Sequence, residues 1–273
     1  MKEENSNEFP QIDFKLSTIL KTYKDVDKIK LNEKYSLENL NLTEITGEAG
    51  SGKTQLCIHI IINTILPKSI DYLEKGCLYI STIHKLPTQR FYQVINSYNK
   101  TISKNKIDNS LKRLFNKHFE PNDFEKFFNV EVEEFILKNN IKVIIINSMT
   151  GICDLQFMNE NNIINFKERA KFIRIYSQIF KKLIQKYNLF FFCTNNVQAE
   201  INDNNNDINN KLYNNLRPCL GKIWENQLNT RIFLEHIKIN EKELIRKLKI
   251  HFSNYFQKIE IKYEITNTGL NFI

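Results

Sequence analysis

Apolar and polar positions change their period several times along the chain, and each change marks an element. Leu42–Thr46 is a short apolar run leading into glycines, as a buried strand would be. Gln55–Leu66 follows, apolar on nearly every side, which predicts a buried helix. Cys77–Thr82 reads as a strand. Phe91, Val94, Ile95 and Tyr98 then fall at helical spacing after Pro87, a residue suited to a helix start. Phe124, Phe127, Phe128, Phe135 and Ile136 mark another helix. Ile141–Asn147 is largely β-branched, the pattern of a central parallel strand covered on both faces. Phe166, Ala170, Ile173, Phe180, Ile184 and Tyr187 form a long helical stripe, and Leu189–Thr194 returns as a strand. After Trp224 the period drops to two. Arg231–Lys238, Leu244–Phe252 and Ile259–Ile265 alternate, which predicts antiparallel strands.

This order predicts an α/β fold, with a mostly parallel central sheet flanked by helices and antiparallel strands at the C-terminus. With 273 residues, 41% of them hydrophobic, the chain supplies one sizeable core. Three stretches fall outside the pattern: the polar residues 1–40, the Lys-, Arg- and Asn-rich residues 99–118, and the Asn-rich residues 198–217. The organisation expected is therefore a short linker-like segment over 1–40 and a core over 41–273.

Glycine changes the picture most. There are seven, and Gly47, Gly50 and Gly52 fall within six positions. The segment Gly47-Glu48-Ala49-Gly50-Ser51-Gly52-Lys53-Thr54 fits GxxxxGK[ST] without mismatch, with a predicted strand before it and a helix after. Such a loop turns backbone N–H groups onto phosphate oxygens. Lys53 reaches the β/γ-phosphates, the Thr54 hydroxyl ligates Mg²⁺, and the helix that starts here adds its positive end. ATP with Mg²⁺ is the expected ligand, held by Gly47–Thr54 and Gln55. A carboxylate for the metal is expected at the end of Ile141–Asn147, where the chain has Asn147, which carries no charge. A water-activating carboxylate is expected after Cys77–Thr82, where Ile83 and His84 stand. His84 is a candidate base, although a loop histidine is more often simply solvated.

The net charge of +8 fits an anionic partner such as nucleic acid, but an abundance of Lys, Asn and Ile throughout gives part of that excess a compositional origin. Lys100, Lys104, Lys106, Lys112, Arg113 and Lys117 make a basic stretch suited either to a phosphate backbone or to a solvated insertion. Five dispersed cysteines without a CxxC pair read as reduced core thiols of an intracellular protein. No apolar run approaches the roughly 18 residues of a membrane span, and MKEENSNEF lacks the character of a signal peptide.

Leu42–Leu56 (LTEITGEAGSGKTQL) resembles the nucleotide-binding segment of the RecA-type recombinase family in its eukaryotic form, in the branch of DNA-repair paralogues. Leu78–Phe91 is similar to the family's next strand and the loop ending in an arginine that stacks on adenine, here Arg90. Val143–Gly151 resembles the second nucleotide-binding strand and the start of the first DNA-facing loop. Cys193–Arg231, with TNNV and then LRPCLGKIWENQL, resembles the second DNA-facing loop and the following strand. The resemblance covers roughly residues 16–270 and implies a RecA-like P-loop ATPase core. It also implies partners among recombinase or paralogue subunits, DNA as a further partner, and a nuclear location. It places DNA contacts on Asn209, Asn210 and Lys211 beside the basic stretch, and suggests docking of a segment around Phe9 and Ile12 on a neighbouring subunit.

Against the family pattern, Ile83 occupies the position of the catalytic glutamate and Asn147 that of the second-strand aspartate. Asn196 replaces the glutamine that senses the γ-phosphate, and Asp154 stands where an arginine is usual. These departures imply an ATP-binding paralogue in homologous-recombination repair, acting within a complex with weak or absent hydrolysis. An active DNA-stimulated ATPase catalysing strand pairing, and a P-loop ATPase or kinase unrelated to DNA, stay open as alternatives.

Overall fold

The computed structural model describes residues 27–31, 36–38, 41–67, 72–160, 163–199, 216–240, 243–253 and 259–273. A small hairpin of β1 (Lys28–Lys30) and β2 (Ser36–Glu38) precedes the phosphate-loop strand β3 (Leu42–Gly47) and helix α1 (Lys53–Ile65). Then come β4 (Gly76–Ser81), α2 (Thr88–Ser97), α3 (Lys104–Leu111) and β5 (Leu114–His118). Helices α4 (Pro121–Lys126) and α5 (Val132–Lys138) are joined by a π-helical turn over Phe127–Glu131. Strand β6 (Ile141–Asn147), α6 (Met149–Phe157), α7 (Phe166–Tyr187) and β7 (Phe190–Asn195) follow. The chain closes with the short pair β8 (Val197–Ala199) and β9 (Leu216–Pro218), then α8 (Gly221–Glu225), β10 (Thr230–Asn240), β11 (Glu243–Ser253), β12 (Glu260–Thr266) and β13 (Gly269–Phe272).

Nine of the described strands form one sheet in the order β13-β12-β11-β10-β3-β7-β6-β4-β5. Pairing is parallel from β10 through β3, β7, β6 and β4 to β5, and antiparallel from β10 through β11 and β12 to β13. The expected mostly parallel sheet with an antiparallel end is therefore present.

Strand alternation sorts the core into two layers. Val143, Ile145, Phe190 and Phe192 join Tyr79, Ile45 and the apolar residues of α1 on one face. Ile144, Ile146 and Phe191 join Leu78, Ile80 and the stripe of α7 on the other. There Phe180 stacks on Phe191 at 4.5 Å between ring centroids.

Two departures from the sequence reading appear. Within 99–118, read as lying outside the pattern, α3 and the edge strand β5 add to the sheet, anchored by Ile102, Ile107 and the half-buried Leu114. Its signal is weak because an edge strand next to one neighbour buries few positions. Within 1–40, Ile29, Leu31 and Leu37 pack into the same layer as α1, so the hairpin joins the core. Three isolated apolar residues carry no periodicity that a sequence pattern can show. Phe9 and Ile12 lie outside the described residues.

Candidate nucleotide-binding site

Strand β3 has no exposed position, and it delivers the loop 47–54 to the end of the sheet. Gly50 and Gly52 have φ of 80° and 103°, a region open to glycine at little cost, so the loop can close before α1 begins. Gly52 is the N-cap of α1. No side chain bonds to that helix start and its first turn holds no acidic residue. Its first N–H groups therefore face outward with the positive end of the helix dipole, a donor set that fits an incoming phosphate. Ser51 Oγ is buried without a protein partner in the same loop, a further donor suited to an anion or water.

The Lys53 ammonium folds back onto the loop, donating to the Gly47 carbonyl at 2.6 Å and the Glu48 carbonyl at 2.9 Å. Burial pushes it below the usual lysine range, partly offset by Cys57, Cys219 and Glu48. A polyphosphate offers this amine stronger acceptors than two neutral carbonyls. Strand β12 braces the loop from behind: the Tyr263 hydroxyl donates to the Ser51 carbonyl. A side chain at Gly52 would press on Ile265 at 3.2 Å.

Arg90, on α2, spends four of its five donors on fixing its guanidinium plane. Nε donates to Gln55 at 2.9 Å, one terminal nitrogen to Gln93 and the Asn267 carbonyl, and the other to the Thr266 carbonyl at 2.6 Å. The plane is set at the rim of the loop, leaving its faces for stacking.

The positions of the expected catalytic carboxylates lie just beyond the end of β4 and at the end of β6. Asn147 is bonded on both ends: its amide donates to the Tyr79 hydroxyl at 2.5 Å and its carbonyl accepts from Thr194 at 2.6 Å. It occupies the end of the second strand as a neutral, satisfied group. Ile83 is about half exposed, and a side chain at Gly151 would collide with it. His84 is exposed. Among the described residues no group of three or more His, Cys, Asp or Glu side chains converges as a metal site. A magnesium ion here would take the Thr54 hydroxyl from the protein and the rest of its ligands from phosphate and water.

A buried network that the sequence reading did not single out joins this site to the β8–α8 region. Glu44, fully buried in β3, accepts from Asn195 at 2.6 Å and from the Trp224 indole at 2.8 Å, and its other oxygen pairs with Arg231. Arg231 also bonds Glu225 at 2.7 Å. Burial pushes the Glu44 carboxyl up and Arg231 pulls it back down. Asn195 in turn accepts from Thr150, whose hydroxyl takes the Asn196 amide at 3.2 Å. The signal was present: a carboxylate inside a strand read as buried requires a partner.

Strands β8 and β9, on either side of the Asn-rich stretch in sequence, pair antiparallel with Gln198 opposite Arg217. Asn209, Asn210 and Lys211 lie outside the described residues. Of the basic stretch, Lys100, Lys104 and Lys106 are exposed, and Lys112 bonds Asn109 at 3.1 Å. Arg113 pairs with Glu74 at 2.8 Å and also donates to the Ile65 carbonyl. Lys117 lies over the rings of Phe119, Phe127 and Phe135. Asp154, on α6, is half-buried, and burial raises its carboxyl against the pull of Arg169. No helix among the described residues is long and apolar enough to cross a membrane.

The sequence is 27% identical over 224 residues to DNA repair protein RAD51 homolog 2 of Homo sapiens, which covers 75% of this chain and 57% of that protein. It is 26% identical over 263 residues to the DNA repair protein XRCC3 homolog of Arabidopsis thaliana, covering 84% of this chain and 86% of that one. It is 27% identical over 164 residues to DNA repair and recombination protein RadA of Cenarchaeum symbiosum (strain A), covering 60% and 39%. The chain thus spans little more than half of the human relative's length. The XRCC3 homolog among these matches agrees with the resemblance to the branch of DNA-repair paralogues. The Rad51 family matches over residues 15–272, nearly the whole sequence, and with its RecA-like α/β core this chain belongs to that family.

Proposed function

We propose that this chain is an ATP-binding recombinase paralogue that acts in homologous-recombination DNA repair within a multi-subunit complex, with weak or absent hydrolysis. The observation that carries the reading is the phosphate loop: an uncapped helix start, an orphaned Ser51 hydroxyl and a Lys53 ammonium resting on neutral carbonyls. Lys53, Thr54 and the amides of Gly47–Gln55 hold the nucleotide, with Arg90 against the base. Tyr263 ties the loop to β12 and Arg90 ties Gln55 of α1 to the Thr266–Asn267 turn, and ATP with Mg²⁺ would add acceptors for Lys53 and the loop amides. It serves as a structural ligand, because neither Ile83 nor Asn147 offers a carboxylate to orient water or hold the metal.

The core is taken as residues 41–273, led by the stretch 1–40, of which the β1–β2 hairpin packs onto that core. Contacts to DNA are assigned to Lys100, Lys104, Lys106, Lys112 and Arg113, and to the stretch holding Asn209, Asn210 and Lys211. The names of the relatives support DNA repair, and from that role we infer other recombinase-type subunits as partners and a nuclear location. The intact Lys53 and Thr54 favour the rival reading of an active DNA-stimulated ATPase, which the neutral groups at 83 and 147 oppose.

Thermal unfolding tests the assignment of the site. ATP or a non-hydrolysable analogue with Mg²⁺ is expected to raise Tm, and at a concentration about a hundredfold above Kd the stabilisation is about 2.7 kcal/mol. Lys53→Ala is expected to remove most of the rise. Equal shifts in both proteins would place the nucleotide elsewhere.

A further inference from the structure

Helix α7 is the most unevenly charged element of the chain. Its apolar stripe of Phe172, Ile173, Tyr176, Phe180, Leu183 and Ile184 is buried against the sheet. Its polar side holds Lys167, Arg169, Lys171, Arg174, Lys181, Lys182 and Lys186 against a single carboxylate, Glu168. Seven cations against one acid give +6, three quarters of the whole chain's +8, on 22 residues. A compositional excess of lysine would spread evenly, so this concentration needs another cause.

The cations are also ordered. Lys167, Lys171, Arg174 and Lys182 recur with Gln178 at spacings of three and four, so they share one face, and all five are exposed. They run about 22 Å along the axis at 1.5 Å per residue. Lys186 at the far end is paired with Glu133 at 2.6 Å, and Lys181 bonds Gln227 at 3.2 Å. Lys167, Lys171, Arg174 and Lys182, in contrast, have no ion pair or side-chain hydrogen bond among the described residues.

This arrangement opposes helix stability. Like charges three and four apart repel, and Lys167 and Lys171 stand near the positive end of the helix dipole, where acids are preferred. An anionic partner relieves both. At the head of the same helix Phe166 and Ile163 are 66% and 63% exposed, and the Arg169 guanidinium lies over the Phe166 ring at 5.0 Å. An exposed ring braced by arginine, followed by a row of unpaired cations, is the pattern that receives a single strand. The ring stacks a base and the row tracks the phosphates. An acidic protein surface would match the cations but would leave the exposed ring without a role.

We propose that the exposed face of α7 is a track for single-stranded nucleic acid, with Lys167, Lys171, Arg174 and Lys182 on phosphates along one strand, Gln178 between the last two, and Phe166 as the stacking platform at its head. The track is separate in sequence from the 100–117 and 198–217 stretches. It rests on the DNA reading only for the identity of the polyanion.

The test is fluorescence anisotropy of a labelled oligothymidylate with the full chain across a salt series. For K167Q/K171Q/R174Q/K182Q the slope of log K against log salt is expected to fall by about three, at roughly 0.7 per phosphate contact. Phe166→Ala is expected to weaken binding about tenfold with the slope unchanged, since stacking releases no counterions. A retained ATP-induced rise in Tm shows that the quadruple variant is folded. If it is not, K171Q/R174Q is expected to give about half the change in slope. An unchanged slope in a folded variant overturns the track. So does polyglutamate binding to this face in place of the oligonucleotide. ATP binding without oligonucleotide binding sinks the track alone, and the reverse result sinks the nucleotide site alone.

Discussion

Glu44 sits at 0% exposure in the strand that carries the phosphate loop, and its side chain is held by three donors from three separate elements. Desolvation of a carboxylate costs several kcal/mol unless charge and hydrogen bonds replace water, and Arg231, Trp224 and Asn195 do so here. Removing one partner leaves the other charged and dry. Glu44→Ala is therefore expected to destabilise the fold by about 3–5 kcal/mol in urea unfolding, with Arg231 left facing only Glu225. A loss under about 1 kcal/mol, the size of an exposed pair, would show that water already reaches the network. Glu44 was visible in the sequence as a charge within an apolar run, but its partners lie 151 to 187 positions away, beyond any local pattern. Asn147 is the opposite case. Its identity alone announced a missing charge, and its surroundings add that the amide is already satisfied by Tyr79 and Thr194.

Among elements, those with a long buried face were the legible ones. Strand β6 and helix α7 show long, unbroken periodicity because nearly every inward position must be apolar. Strand β5 and helix α3 were missed, since an edge strand with half-exposed positions needs few apolar residues and the surrounding lysines obscure them. Helix α1 carries a prediction of its own. His59 on this helix bonds the Lys30 carbonyl of β1 at 3.0 Å and meets the Phe272 ring edge-on, and burial holds its pKa below the ordinary value of 6.5. The unfolded chain thus binds a proton that the folded one refuses. Stability from this residue is full above pH 6.5 and is lost as pH falls through the depressed folded value. Tm is expected to drop on acidification from pH 7 to 5, with His59→Gln reducing the dependence. An identical pH profile in the variant would remove His59 as the source. In the basic stretch, reversing Lys104, Lys106 and Lys112 to Glu is expected to flatten the salt slope of DNA binding, and an unchanged slope would mark the segment as solvated surface.

At the scale of the whole molecule, the parallel half of the sheet presents the phosphate loop, and the antiparallel end closes over it through Tyr263 and the Thr266–Asn267 carbonyls that hold Arg90. The order of strand-like and helical runs made that layout readable. The way the C-terminal strands brace the loop was not readable, because Tyr263 lies 212 positions from Ser51 and belongs to no motif itself. The same architecture frames the central proposal, that the site holds ATP without turning it over.

Hydrolysis needs a group to polarise water and a charge beside the metal, and loss of either commonly costs about a hundred- to a thousandfold in rate. Asn147→Asp keeps both of its bonds if the Tyr79 hydroxyl turns to donate, and Ile83 is exposed enough to accept Glu. The direct measurement is DNA-stimulated ATP hydrolysis by the purified chain, run beside ATP binding. The unmodified protein is expected to bind ATP with no turnover above background. I83E/N147D is expected to raise turnover well beyond either single change, because the two groups act as one unit. Robust DNA-stimulated turnover by the unmodified protein would contradict the account.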